Sequence, residues 1–408
     1  MIPSSLEAYA PIIGQQSIDE LRLLAEHLRQ RQIQHINSTA VGGGVAEILH
    51  RLIPLLQELG VQARWDVIKG GDAFFQVTKR LHNALHGAPA ALTPHDYRTF
   101  LETAAQNRTT LSLTGDVLFV HDAQPIALIK AKPQHRGRWV WRCHVDVSAP
   151  RLDVWRFLLR FVEQYDAAIF SAPQFAQRLM ARQFLVAPSI DPLSDKNREL
   201  SAETVQAVLH RLEIPTDKPL VTQVSRFDRL KDPVGVIEAF RLVRKTVDCR
   251  LVLVGGSASD DPEGAAVLAE VRTRAHGDAD ILVLELPPDS HVEINAIQRA
   301  SSVVVQKSIR EGFGLTVSEA LWKGKPVVAS AVGGIPLQIE HRHSGLLCRS
   351  IEGAAFAVKQ CLNNPGYAKR LGENGREHVR ANFLLTRQLK EYLLVVIALE
   401  HDTDVTRL

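Results

Sequence analysis

Glu311 and Glu319 stand eight positions apart in the stretch SIREGFGLTVSEALWKGKPVV, residues 308–328. Carboxylates at this spacing could act as an acid/base pair, as structural caps, or as two contacts to different ends of one ligand. Between them, Gly312, Phe313 and Gly314 make a turn whose glycines free the backbone. A helix is expected to start near Thr316 and stop at Gly324. Its first N–H groups, over Gly314, Leu315 and Thr316, lack intrahelical partners and form an anion site. Thr316-Val-Ser-Glu319 also spells a capping box, which gives Glu319 a structural role to play. A cap leaves Glu311 unexplained, because that residue lies outside the helix at the end of an expected strand.

Two further stretches carry phosphate chemistry. In QVSRFDRLKDP, residues 223–233, Arg226 and Lys231 follow a strand. An arginine fork and a lysine point charge together suit a diphosphate. Asp228, Arg229 and Asp232 are interleaved with them, so a solvated charged loop fits the same residues. In STAVGGGVAEIL, residues 38–49, Gly42, Gly43 and Gly44 join a strand to a helix and aim free N–H groups at its start. The run matches neither GxGxxG nor GxxxxGK[ST], and a flexible turn is its plain alternative.

His121, Asp122, His144 and Asp146 read as two His–Asp pairs at strand ends, in LFVHDAQP and WRCHVDVSAP. No HxH or HxxxH spacing supports a metal site. Asp260 and Asp261, in SASDDPEG, fit a polar turn better than a metal-binding pair.

These residues need a scaffold. Expected strands at 33–40, 63–68, 116–122, 138–146 and 167–172 alternate with helices such as 45–60. Residues 184–201, with two prolines and a cluster of turn residues, read as a linker. The alternation restarts with strands at 219–225, 249–255, 281–286, 302–308 and 326–330. Two doubly wound parallel sheets are expected, facing each other across a cleft that takes the ligand at the carboxyl ends of the strands.

The bulk composition agrees. The chain has 408 residues, 45% hydrophobic and 23% charged, which suits two or three domains of ordinary size. A net charge of +3 implies no nucleic-acid binding, and local basic pockets for small anions stay open. Cys143, Cys249, Cys348 and Cys361 form no CxxC pair, as expected in a reducing compartment. The N-terminal stretch lacks a signal-peptide pattern, and the apolar run 393–399 is too short to span a bilayer. A soluble cytoplasmic protein is expected.

Glu311 and Glu319 resemble the E-x7-E signature of retaining glycosyltransferases with the two-domain GT-B fold. Arg226 and Lys231 resemble that family's diphosphate-binding pair, and Gly42 to Gly44 its N-terminal glycine loop. The stretches HINSTAVGGGVAEILHRLIPLLQELGVQARWDVI, FFQVTKRLHNALHG, WRCHVD, SIDPLSDKN, QVSRFD and DDPEG look like the trehalose glycosyltransferring synthases, over nearly the whole chain. Those enzymes join a nucleoside-diphosphate glucose to free glucose to make α,α-trehalose. One motif departs: HDAQP, with Ala123, stands where HDPQP is expected, near the acceptor.

The resemblance implies an acceptor domain over 1–190, a nucleotide-sugar domain over 191–384, and a C-terminal helix (385–408) packing back on the first. It implies that Glu319 binds the ribose, that Glu311 binds the donor glucose, and that Arg226, Lys231 and the Gly312–Phe313–Gly314–Leu315–Thr316 segment hold the diphosphate. Gly43 and Gly44 would close on the same phosphate. His144 would touch the 6-hydroxyl or the acceptor, and Glu47, Asp122, Gln124 and Asp146 would line the acceptor pocket. No cofactor or metal is required beyond the sugar nucleotide. Sugars are the expected partners, not nucleic acid or membrane, and a homodimer is compatible. The rivals are a trehalose phosphorylase using glucose 1-phosphate, a transferase with another small acceptor, and a non-catalytic sugar-nucleotide sensor. Retention by front-face attack and by a covalent nucleophile both stay open.

Overall fold

A computed structural model describes residues 5–41, 43–89, 91–256 and 264–400. Gly42, Asp260 and Asp261 lie outside the described residues. The chain divides into two compact units, one running to Ser189 and resuming at Leu385, the other spanning Ile190–Leu384.

In the first unit, β1 (Gln32–Asn37), β2 (Gln62–Val67), β3 (Val117–His121), β4 (Arg138–Cys143), β5 (Ala167–Phe170) and β6 (Arg182–Leu185) form one parallel sheet. Their order is β2-β1-β3-β4-β5-β6. In the second, β7 (Leu220–Val224), β8 (Arg250–Gly255), β9 (Ile281–Glu285), β10 (Val303–Gln306), β11 (Val327–Ser330) and β12 (Leu346–Cys348) form another. That order is β12-β11-β10-β7-β8-β9. Winding direction reverses between β1 and β3, and again between β7 and β10. At such reversals the following loops part and leave room for a ligand at the carboxyl ends of the strands.

Both faces of the second sheet are covered, which is why its strands are apolar at nearly every position. Val221, Leu251, Leu253, Val303 and Val305 pack on Val236, Ile237 and Phe240 of helix Pro233–Arg244 and on Ala354 and Val358 of helix Ile351–Asn363. Alternate residues Leu220, Val252 and Val254 pack on Leu209 and Ile297, from helices Ala202–Arg211 and His291–Ala300. In the first unit, helix Leu385–Glu400 buries Leu389, Tyr392, Leu393, Val395 and Val396. Its Tyr392 ring stacks on Phe119 of β3 with centroids 5.1 Å apart.

Three expectations change. The helix after the Gly-Phe-Gly turn is Leu315–Trp322, with Gly314 as N-cap and no side-chain cap. Thr316 is therefore already inside the first turn, and Thr316-Val-Ser-Glu319 makes no capping box. A capping box does form elsewhere: Thr93 Oγ1 accepts the N–H of Asp96, while the Thr93 N–H donates to Asp96 Oδ2 at 2.8 Å, at the head of helix Pro94–Thr110. The stretch 184–201 does hold the boundary between the units, at Ser189 and Ile190, but its two ends are packed structure. Phe184 and Leu185 lie in β6, and Asn197 is buried, its amide donating to Asp191 O at 3.0 Å. Asn295 ties the backbone of Asp195 and Arg198 to helix His291–Ala300. The polar residues that suggest exposure are spent holding backbone carbonyls. Among the described residues, no helix is long and apolar enough to cross a membrane.

Candidate active site

In the second unit the polar residues gather after β7 and β10, the strands flanking the reversal. Past β7, Asp228 accepts the N–H of Leu230 at 2.8 Å and starts the turn Arg229–Lys231. Asp232 follows in the left-handed region (φ 51°), caps helix Pro233–Arg244 by accepting the N–H of Gly235, and ion-pairs with Lys307. Gln223 holds the backbone of Lys231 from β7, donating to its carbonyl at 2.8 Å. The acidic residues that made this loop look merely solvated are what shape it.

With its backbone fixed, Lys231 sends its ammonium to both oxygens of Glu311, at 2.7 and 2.6 Å. Ser308 Oγ donates to the same carboxylate at 3.0 Å and Gln306 Nε2 at 3.4 Å. Glu311 is 6% exposed, so its charge is held by protein groups rather than water. Arg226, 44% exposed along its side chain, reaches to 3.8 Å from Asp228.

The turn after Glu311 is clamped from below. Gly333 lies at φ 52°, and a Cβ there would sit 1.6 Å from the carbonyl oxygen of Glu311. Gly314 lies at φ 81°, and its Cβ would come 3.1 Å from the Glu311 side chain. Gln338 donates to Phe313 O at 2.5 Å and accepts from Ser318 Oγ at 2.6 Å, tying turn to helix. Glu319, one turn into that helix and 5% exposed, lies 3.7 Å from Lys196 Nζ. Beneath it Lys323 is buried, donating to Asn197 Oδ1 at 2.9 Å and Glu319 O at 3.1 Å. Burial pushes the Lys323 ammonium down to about 7, with Glu319 opposing the shift.

In the first unit, Gly43 is the N-cap of helix Gly44–Glu58, and Glu47 sits in its first turn, its N–H bonded to Gly43 O. After β3, Asp122 adopts φ 64°, and its Oδ1 accepts the N–H of His144 at 2.7 Å. Burial pushes the Asp122 carboxyl up to about 6, against that hydrogen bond and Arg142. The histidines do not pair as their sequence neighbours suggest. His121 lies between His35 Nδ1 and His144 Nε2, 3.0 Å from each. Asp146 Oδ1 accepts from Ser148 N and Oγ, a local turn. Gln124 is half-buried, and Ala123 beside it is buried.

Sequence reasoning missed His35, Lys196, Gln306, Ser308, Lys323, Gly333 and Gln338. Only Gly333-Gly334 carried a readable signal, a glycine pair three residues past the end of a strand. Among the described residues, no group of three or more His, Cys, Asp or Glu side chains is arranged to hold a metal ion.

Comparison with known proteins follows the same division. A family model described as Trehalose synthase, N-terminal domain, matches residues 35–177, and one described as Glycosyl transferases group 1 matches 206–378. Over 400 residues the chain is 44% identical to the Trehalose synthase of Pyrococcus horikoshii, covering 97% of this chain and 96% of that one. The chain belongs to the trehalose synthase family. Outside the trehalose synthases it is 28% identical to the Trehalose phosphorylase of Pleurotus pulmonarius, across 92% of this chain and 58% of that one. An α,α-trehalose-phosphate synthase (UDP-forming) from Burkholderia xenovorans superposes with a TM-score of 0.73 at 16% identity, over 91% of this chain and all of that one. The fold is thus the two-domain α/β GT-B fold, and the protein is a glycosyltransferase of trehalose metabolism.

Proposed function

We propose that the protein is a retaining glucosyltransferase that moves glucose from a nucleoside-diphosphate glucose to free glucose, reversibly, in the cytoplasm, giving α,α-trehalose. The observation that carries this reading is the meeting of Lys231, Glu311 and the free helix start at Leu315 in one place. A glycosidase sets two carboxylates across the scissile bond. Here Glu311 is bound to Lys231, and Glu319, one turn into the following helix, lies beside Lys196.

In this reading Glu311 binds hydroxyls of the donor glucose, and Glu319 takes the ribose hydroxyls. Arg226, Lys231 and the N–H groups of Gly314, Leu315 and Thr316 hold the diphosphate, with Gly43 and Gly44 as further donors. Charge that develops on the departing phosphate is stabilised by these groups in their places, with no reorganisation at the moment of bond cleavage. Until the donor arrives, Glu311 and Lys231 neutralise one another. Binding exchanges that contact for phosphate on the lysine and sugar on the carboxylate. His144 offers a ring nitrogen to the sugar, and Glu47, Asp122, Gln124 and Asp146 serve the acceptor. The proposed partners are sugars and sugar nucleotides, without nucleic acid or membrane.

A donor panel tests this directly. UDP-, ADP- and GDP-glucose and glucose 1-phosphate are each offered with free glucose, and the product linkage is read by NMR. Trehalose from a sugar nucleotide is expected. Product from glucose 1-phosphate alone would establish the phosphorylase chemistry named in the Pleurotus relative, and no product from any donor would sink the transferase reading.

A further inference from the structure

Three imidazoles of the first unit form a line of which the proposed reaction uses one end. His35 Nδ1 lies 3.0 Å from His121 Nε2, and His121 Nδ1 lies 3.0 Å from His144 Nε2. Ring centroids are 5.3 Å apart in both pairs. His35, on β1, is fully buried and stacked on Phe119 with centroids 4.8 Å apart. Tyr392 of the C-terminal helix covers it, and its Nε2 has no protein partner. His144, after β4, is only half-buried. Burial holds His35 down to about 3. Burial together with Arg142 holds His121 and His144 well below the usual histidine range, and the neighbouring rings add to this for His121. All three rings are neutral at physiological pH.

A neutral imidazole has one N–H and one lone pair. Three rings carry three N–H groups, and the two nitrogen–nitrogen contacts use two of them. The third sits at one end of the line, and its position sets all three tautomers together. At the His35 end it would be an N–H buried without an acceptor, whereas the opposite arrangement leaves only a lone pair there. Orphaned buried N–H groups are the rarer of the two defects. The proton therefore belongs on His144 Nδ1, the end that is not sealed.

We propose that His121, its proton direction set by the sealed end at His35, is a positioning residue that locks His144 in its Nδ1–H tautomer, so that it meets the sugar as a hydrogen-bond donor. His144 then orients a hydroxyl oxygen and takes no proton from it. Asp122 fixes the same residue from behind by accepting its backbone N–H. The assignment of this donor to a sugar rests on the proposed transferase reading, while the tautomer itself does not.

The test is ¹⁵N NMR of the full-length protein labelled at histidine, reading which ring nitrogens carry protons. Wild type is expected to show His144 protonated at Nδ1 and bare at Nε2. His35→Phe keeps an aromatic ring in the stack and leaves His121 Nε2 as the sealed lone pair, so His144 should keep its Nδ1 proton. His121→Phe removes the N–H given to His144 Nε2 and frees that half-buried ring to present either nitrogen, so His144 should lose its single tautomer. In parallel, kcat for trehalose formation should fall roughly tenfold in His121→Phe, with KM for the donor within about twofold. His144 protonated at Nε2 in wild type, a lost tautomer in His35→Phe, or an unchanged tautomer or kcat in His121→Phe would each overturn the proposal. Should the variants not fold, the wild-type spectrum decides alone. The expected tautomer in a protein that transfers no glucose would sink the transferase reading and leave the lock standing. Trehalose synthesis with the reverse tautomer would sink the lock alone.

Discussion

Lys231 and Glu311 hold each other, and this makes an isosteric swap informative. Glu311→Gln keeps the shape but removes the charge, so Lys231 no longer has to leave a carboxylate to meet a diphosphate. Nucleoside diphosphate without sugar should bind roughly three- to tenfold tighter in the variant, as calorimetry reads it. Turnover should fall by about a hundredfold. Unchanged or weaker diphosphate affinity would refute the exchange of partners. Lys323 gives a second residue-scale prediction. Its folded pKa lies below that of the unfolded chain, so the unfolded state binds more protons between about 7 and the ordinary lysine value near 10.5. Stability gained from keeping the residue neutral is full above that window and is lost as pH falls through it. Lys323→Met should remove up to about 1.4 kcal/mol per pH unit of slope there, followed by urea denaturation at several pH values. An unaltered slope would show that the ammonium stays charged where it is. The sequence made Arg226, Lys231, Glu311 and Glu319 legible because each lies at a strand end or helix start with a recognisable spacing. Lys323 and His35 were not legible, since only long-range packing tells a buried polar residue from a solvated one.

At the scale of elements, the alternation of apolar runs with helical stretches was enough to place most strands within a few residues. What local sequence hid were the exact helix start and the packing of the first residues of the second unit. Thr316 to Glu319 spells a cap, yet the φ of Gly314 starts the helix earlier, and conformation wins over spelling. Residues 190–201 carry turn chemistry that the fold uses as internal hydrogen bonding. The loop after β11 controls the turn that carries Glu311, because Gly333 leaves no space beside that backbone. Gly333→Ala should cost about 2–4 kcal/mol and disable catalysis, through backbone collision and a left-handed φ. Gly366→Ala is the matched control. That glycine sits early in helix Pro365–Asn382 with open space at its Cβ, and the change should be neutral or stabilise by up to about 1 kcal/mol. Equal unfolding midpoints for the two variants would remove the crowding argument.

For the whole molecule, one unit is continuous in sequence and the other is not. Ile190–Leu384 contains all of β7 to β12 and the helices that cover them. Expressed alone, it should fold cooperatively, with dispersed NMR signals. Residues 1–189 alone lack helix Leu385–Glu400 and its large apolar face against the first sheet. They should be unfolded or aggregated, and supplying residues 385–400 as a peptide should restore structure measurable by circular dichroism. A folded 1–189 fragment would show the helix to be dispensable. The helix that covers Phe119 and His35 is also the part of its unit that leaves the ribosome last. The sheet of the first unit, with its line of histidines, waits through the synthesis of an entire second unit before Tyr392 arrives to seal it. A chain broken off just before residue 385 can own a finished second unit and still never assemble its first. Synthesis as far as this helix thereby becomes a condition for the first unit to form, written into the order of the elements.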